Sequence, residues 1–158
     1  MHPLLRASLT SGLLYSIGDI ATQTISKDGT DIDFLRVARF ALTGSILHGP
    51  YFLMGFRALD AKFPGNSLKA SLTKVLVGQV CLFPPFVFLL LTFTSLLEGK
   101  SLLTADFQEK FIKINTNGLL IWPFANLVNF RYIPSQYRVL YVNMIGLGWN
   151  TYLSFATH

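Results

Sequence analysis

Cysteine is nearly absent. Cys81 is the single one in 158 residues, which excludes an internal disulfide. No N-x-[ST] acceptor for N-glycosylation occurs, and the two absences together fit an intracellular organelle membrane better than a cell surface. Charge is also scarce: only 13% of residues are Asp, Glu, Lys or Arg, about half the share usual in a soluble domain. The motifs of metal and nucleotide chemistry are missing. His2, His48 and His158 have no partners at ligand spacing, there is no HExxH, CxxC or P-loop, and GLGWN at 146–150 does not complete a dinucleotide fingerprint. DGTDID at 28–33 lacks the glycine and the closing glutamate of a calcium loop and reads as a solvated turn. No catalytic residue, metal or cofactor is therefore expected, and the chain does not read as an enzyme. The balance of +5 is not gathered into a basic run, so nucleic acid is not an expected partner. It fits lipid headgroups or a preference for anionic solutes instead. Residues 1–18 lack an apolar core followed by a small-residue cleavage site, and the closing FATH is not a peroxisomal SKL-type address.

What the chain has is apolar length. Half of it, 51%, is hydrophobic, and Phe alone supplies 14 residues. Runs without Asp, Glu, Lys or Arg cover 40–56, 75–97, 114–130 and 139–157. A bilayer crossing needs about 20 such residues, with a range of roughly 17–25, so 75–97 and 139–157 qualify and snorkelling Lys and Arg extend the other two. Residues 4–26 add a segment whose only charges are Arg6 and Asp19. On it Ser8, Gly12, Ser16, Asp19 and Gln23 recur along one helical face, leaving Leu9, Leu13, Leu14, Ile17 and Ile20 for lipid or core. The pattern predicts five helices, at 4–26, 34–60, 69–97, 106–131 and 135–157. The fourth begins amphipathically (DFQEKFIKIN) and can enter from the interface. SKDGTDID at 26–33, KFPGNS at 62–67 and LEGKSLLTAD at 97–106 are the polar connections, with Thr104 or Asp106 able to cap the next helix. The fold class is all-α: an integral membrane bundle of four to five long, partly kinked helices in a single membrane-embedded domain, 1–158. Lys and Arg divide seven to six between the two sides of five crossings, which sets no orientation.

Polar groups at membrane depth are costly unless satisfied, so they point to function or to helix packing. Asn115, Leu119, Trp122, Asn126 and Asn129 share a face of the fourth helix, and Asn143, Gly146, Asn150 and Ser154 a face of the fifth. With Asp19, Gln23 and His48 they form the candidate pore-lining or interhelical set: Asp19, Gln23, His48, Asn126, Asn129, Asn143 and Asn150. Amides solvate water and solutes without the full desolvation cost of a charge, so the set suits either a lined path or interhelical bonding. Pro50, Pro84, Pro85, Trp122 and Pro123 are candidate kink or gate positions. Arg36, Arg39, Arg131 and Arg138 are candidate interface anchors. A buried Asp19 requires a partner, and Arg36, Arg39, Arg138, Asn143 and Asn150 are of the right type.

The residues carry a family resemblance. The chain resembles, nearly end to end, the family of the mitochondrial inner-membrane Mpv-seventeen protein and the peroxisomal twenty-two-kilodalton membrane protein. The match is strongest over WPFANLVNFRYIPSQYRVLYVNMIGLGWNTYLS at 122–154, where Trp122, Pro123, Asn129, Phe130, Pro134, Tyr137, Arg138, Asn143, Trp149, Asn150, Tyr152, Leu153 and Ser154 fit the family pattern. GDIATQ at 18–23 resembles the family's early element, and Arg36, Arg39, Gly44, Gly49 and Pro50 fit its second helix. The chain departs at Leu53 and Gly55, where a His and a Trp are usual, at Gly78-Gln79, where the pair is Asp-Gln, and at Asn126, where a Gln is common. The resemblance implies a multi-pass organelle membrane protein, in the mitochondrial inner membrane with the peroxisomal membrane as the alternative. It implies a weakly selective channel for small solutes or metabolites, linked to metabolite and nucleotide-pool homeostasis. The alternative is a non-conducting structural subunit or assembly factor of a larger organelle membrane complex. Expected partners are the lipid bilayer, small anionic or neutral solutes, and a homo-oligomer or larger membrane complex.

Overall fold

The computed structural model describes residues 1–26 and 31–156, and the side chains among them except those of Ser26 and of 150–156. All of the regular structure among these residues is helical. The elements are α1 (Pro3–Ser26), α2 (Phe34–Leu42), a π turn (Thr43–His48), α3 (Gly49–Lys62), α4 (Leu68–Cys81), α5 (Phe83–Leu97), α6 (Ala105–Tyr132), a 3-10 turn (Ser135–Tyr137) and α7 (Arg138–Ala156). The helices begin where the sequence supplies a cap. The Asp33 side chain accepts from the Arg36 amide at 3.0 Å, Ser67 from Ala70 at 3.1 Å and Thr104 from Phe107 at 3.2 Å. Of the two capping candidates for α6, Thr104 takes the position and Asp106 sits in the first turn, where a carboxylate is favoured. Gly65 and Gly99 adopt positive φ in the turns that follow α3 and α5, a conformation open to glycine at little cost.

Two helices expected to be continuous are interrupted. The segment expected at 34–60 passes through the π turn, where the Gly49 amide donates to the Gly44 carbonyl five residues back. Pro50 follows directly, as the second residue of α3, where a missing N–H is easily accommodated. The segment expected at 69–97 breaks at Leu82, because Pro84 and Pro85 donate no backbone hydrogen bonds to α4 and instead open α5. The Leu82 carbonyl accepts from the Phe86 amide at 3.1 Å and from the Tyr51 hydroxyl at 2.8 Å. Pro123 lies inside α6, which runs on through it to Tyr132.

The chain divides into two compact units, one of Met1–Pro50 with the residues from Val139 onward, the other of Tyr51–Arg138. In the first, α1 lies against α2 and the π turn at backbone contact. A Cβ on Gly44 would stand 2.5 Å from the Ser11 carbonyl oxygen, and one on Gly49 2.5 Å from that of Ala7. Such small-residue crossings are how helices associate in lipid, where no hydrophobic gain separates helix from helix. In the second unit, Phe52, Phe56, Phe86 and Phe130 build an aromatic core, with Phe52 and Phe86 at 4.7 Å and Phe56 edge-on to Phe130 at 5.4 Å. Outward faces are apolar: Leu9, Leu13 and Ile17 on α1, Leu76 and Val80 on α4, and Leu120 and Phe124 on α6 are all exposed. Among the described residues, Leu68–Leu97 is the segment long and apolar enough to cross a membrane by itself. The opening of α6 carries Asp106, Glu109, Lys110 and Lys113, and α1 carries a buried polar face, which lowers the apolar content of each.

Candidate functional site

In the first unit, the close crossing places polar side chains where water does not reach. Ser11 is 0%, Asn143 3% and His48 5% exposed. The Asn143 amide nitrogen donates to Ser11 Oγ at 2.8 Å and to the Val139 carbonyl at 2.9 Å. A carbonyl only accepts, so the amide's orientation is fixed and Ser11 Oγ is an acceptor from Asn143. The Ser11 hydroxyl also meets His48 Nδ1 at 3.4 Å, the direction of that bond following the imidazole tautomer. The Tyr15 ring packs on the imidazole at 5.1 Å. A serine, a histidine and an amide in contact suggest nucleophilic chemistry, but a hydroxyl with no exposed surface cannot meet a substrate. The contact joins α1, the π turn and α7.

A second cluster in this unit gathers around Asp19, whose side chain is 0% exposed. Its Oδ1 accepts from Arg36 Nε at 2.7 Å and its Oδ2 from Gln23 Nε2 at 2.8 Å. Gln23 Oε1 in turn accepts from the Asp33 amide at 2.8 Å. The end of α1 is thereby latched to the start of α2, and both ionic oxygens of Asp19 are matched. Arg36, the partner, is 42% exposed along its side chain and lies over the Phe40 ring. Arg39 is half-buried, and its carbonyl accepts from Thr43 Oγ1 at 2.8 Å. The Asn150 side chain, expected on the same polar face of α7 as Asn143, lies outside the described residues.

The second unit holds a charge cluster that sequence reasoning missed. Asp60, near the end of α3, accepts from Lys74 Nζ at 2.7 Å and from Arg138 Nη1, and Ser135 Oγ donates to it at 3.2 Å. Lys74 is 1% exposed and also donates to the Gly65 carbonyl at 2.7 Å. Both cations lie over the Phe130 ring, Lys74 Nζ at 5.7 Å and Arg138 Cζ at 5.1 Å from its centroid. Burial alone would raise the Asp60 carboxyl, but the hydrogen bonds and charges of Arg138 and Lys74 outweigh it and hold it below the usual carboxylate range. Arg138 was expected as an interface anchor and is instead 6% exposed, because this carboxylate draws it inward. Arg131 stays nearer the surface and donates to the Asn66 carbonyl at 2.7 Å. The one sequence signal for this cluster was Lys74 itself, a cation at the edge of the uncharged run 75–97, which requires a counter-charge somewhere else in the chain.

The α6 amides differ from the Asp19 and Asp60 clusters. Asn115 Nδ2 returns to the Phe111 carbonyl at 2.8 Å, but Asn115 Oδ1, Asn126 Oδ1 and both polar atoms of Asn129 are buried without a hydrogen-bond partner among the described residues. Asn143 Oδ1 shares that condition in the first unit. Asn129 is 0% exposed. On the same stretch, Trp122 meets Phe83 at 6.2 Å, and Phe83 covers Gly118, where a Cβ would stand 2.6 Å from the ring.

Residues 95–154 match the family model described as the Mpv17 / PMP22 family. Protein sym-1 of Neurospora crassa is 35% identical, over 98% of this chain and 91% of its own length. The chain belongs to the Mpv17/PMP22 family. Other relatives include PXMP2/4 family protein 4 of Dictyostelium discoideum, 35% identical over 97% of this chain and 85% of its own. The mitochondrial inner membrane protein Mpv17 of Drosophila melanogaster is 29% identical over 95% of both. No solved structure matches. As a Mpv17/PMP22 family member the chain is an organelle membrane protein. The part matched by the family model begins near the end of α5 and takes in all of α6, so it contains Asn115, Trp122, Asn126, Asn129, Arg138 and Asn143.

Proposed function

We propose that this protein is a weakly selective channel for small solutes or metabolites, crossing the mitochondrial inner membrane several times and serving metabolite and nucleotide-pool homeostasis. It carries out no catalytic step. The observation that supports this reading is the state of the α6 amides. Side chains whose purpose is to bond helix to helix consume their hydrogen-bonding capacity on one another, as Asp19 does between Gln23 and Arg36. Asn126 and Asn129 instead keep buried oxygens without a partner among the described residues, which suits a surface that solvates something passing. The name of the fly relative supports the organelle, with the peroxisomal membrane as the alternative. Reconstitution of the purified protein into planar bilayers tests the reading: discrete current steps support it, and silent bilayers contradict it.

A non-conducting structural subunit or assembly factor, working as a homo-oligomer or in a larger membrane complex, is the second reading. The clusters of Asp19 and Asp60 favour it, because their charged side chains are spent on fastening one helix to another.

A further inference from the structure

Asn126 and Asn129 stand three residues apart on α6, which puts their side chains next to each other on one face. Between them they present two buried carboxamide oxygens and one buried amide nitrogen without a partner among the described residues. Asn129 is 0% exposed, and its neighbours Ala125 and Phe130 are buried as well. A buried polar atom left unpaired destabilises a fold, and three in one place are retained where something satisfies them. The chemistry of the three atoms says what. Two acceptor oxygens and one amide nitrogen with two N–H groups call for a guest that both donates and accepts. A cation would meet the two oxygens, but also the excess positive charge of Lys74 and Arg138, which share the single carboxylate of Asp60 and pack on Phe130, the residue beside Asn129. An anion would accept from Asn129 Nδ2 but stand against two carboxamide oxygens that only accept. An uncharged hydroxyl compound fits: its O–H groups donate to the oxygens and one of its oxygens accepts from Asn129 Nδ2.

We propose that Asn126 and Asn129 form a binding site for an uncharged hydroxyl-bearing guest, either water or a small polyol. This deepens the channel reading by naming the solute class and rests on that reading only for passage through the membrane, since binding itself requires no conduction.

The test uses the full chain, labelled with nitrogen-15 at asparagine and held in detergent, with water alone or with added glycerol. The Asn129 side-chain resonance is identified by its loss in Asn129→Leu, or its neighbour's by its loss in Asn126→Leu should the first variant fail to fold. A cross-relaxation peak from that amide to the water frequency assigns the site to water, and one to the glycerol carbon-bound protons assigns it to a polyol. Either supports the proposal, and Asn129→Leu is then expected to melt about 4 °C below the wild type. Absence of both peaks overturns it, as does an Asn129→Leu variant that melts above the wild type. Cross-peaks in a protein that carries no current keep the site and remove the channel. Current without cross-peaks does the reverse.

Discussion

Lys74 has three ammonium hydrogens to place in a site that is 1% exposed, and Asp60 and the Gly65 carbonyl take two of them. Arg138 leans on the same carboxylate. Removing the negative charge leaves two buried cations unmatched, so Asp60→Asn is expected to destabilise by about 3–5 kcal/mol at neutral pH, read from thermal melts in detergent. The sign with pH follows from the lowered Asp60 carboxyl. Its contribution is complete above the unfolded value of about 3.9 and is lost as pH falls through the lower folded value. The wild type should therefore lose melting temperature on the acid side of about pH 4, and Asp60→Asn should start lower and show a flatter acid limb. Asp19 is different because its cation can return to water: Arg36 is 42% exposed along its side chain. Asp19→Leu should cost more than Asp19→Asn, since the asparagine retains an acceptor for Gln23 Nε2.

At the scale of elements, the close approach of α1 to the π turn makes a sharp prediction. Gly44→Ala and Gly49→Ala each push a methyl group against α1 backbone rather than a flexible side chain, so each should cost about 1–3 kcal/mol in melting experiments. Tyr51→Phe removes the hydroxyl that donates to the Leu82 carbonyl at the α4–α5 break and should cost about 1 kcal/mol. Helix ends were partly legible in the sequence because local chemistry writes them: Thr104 caps α6 and the polar segments holding Gly65 and Gly99 separate helices, whereas Pro84-Pro85 reads as a kink and proves to be a break. The π turn was not legible, since no residue type encodes a hydrogen bond to the fifth residue back. Its only traces are two glycines and Pro50. The small-and-polar face of α1 was read as Ser8, Gly12, Ser16, Asp19 and Gln23. Ser11, one residue off that series, carries the contact to His48 and Asn143. The Asp60 cluster was out of reach because its members lie 14 and 78 positions apart, and spacing along a chain says nothing of such pairs.

For the whole molecule, the proposed channel has the buried α6 amides serve a passing solute rather than helix cohesion. The two roles part under one substitution pair. Asn126→Leu with Asn129→Leu fills the amide face with apolar surface of similar volume. The most direct measurement is single-channel recording of wild type and double variant reconstituted side by side in planar bilayers, with folding of each verified by circular dichroism. Wild-type protein should give discrete current steps, and the folded double variant should give steps that are much smaller or absent. Wild-type protein that stays silent, or a double variant whose steps equal those of the wild type, would contradict the claim.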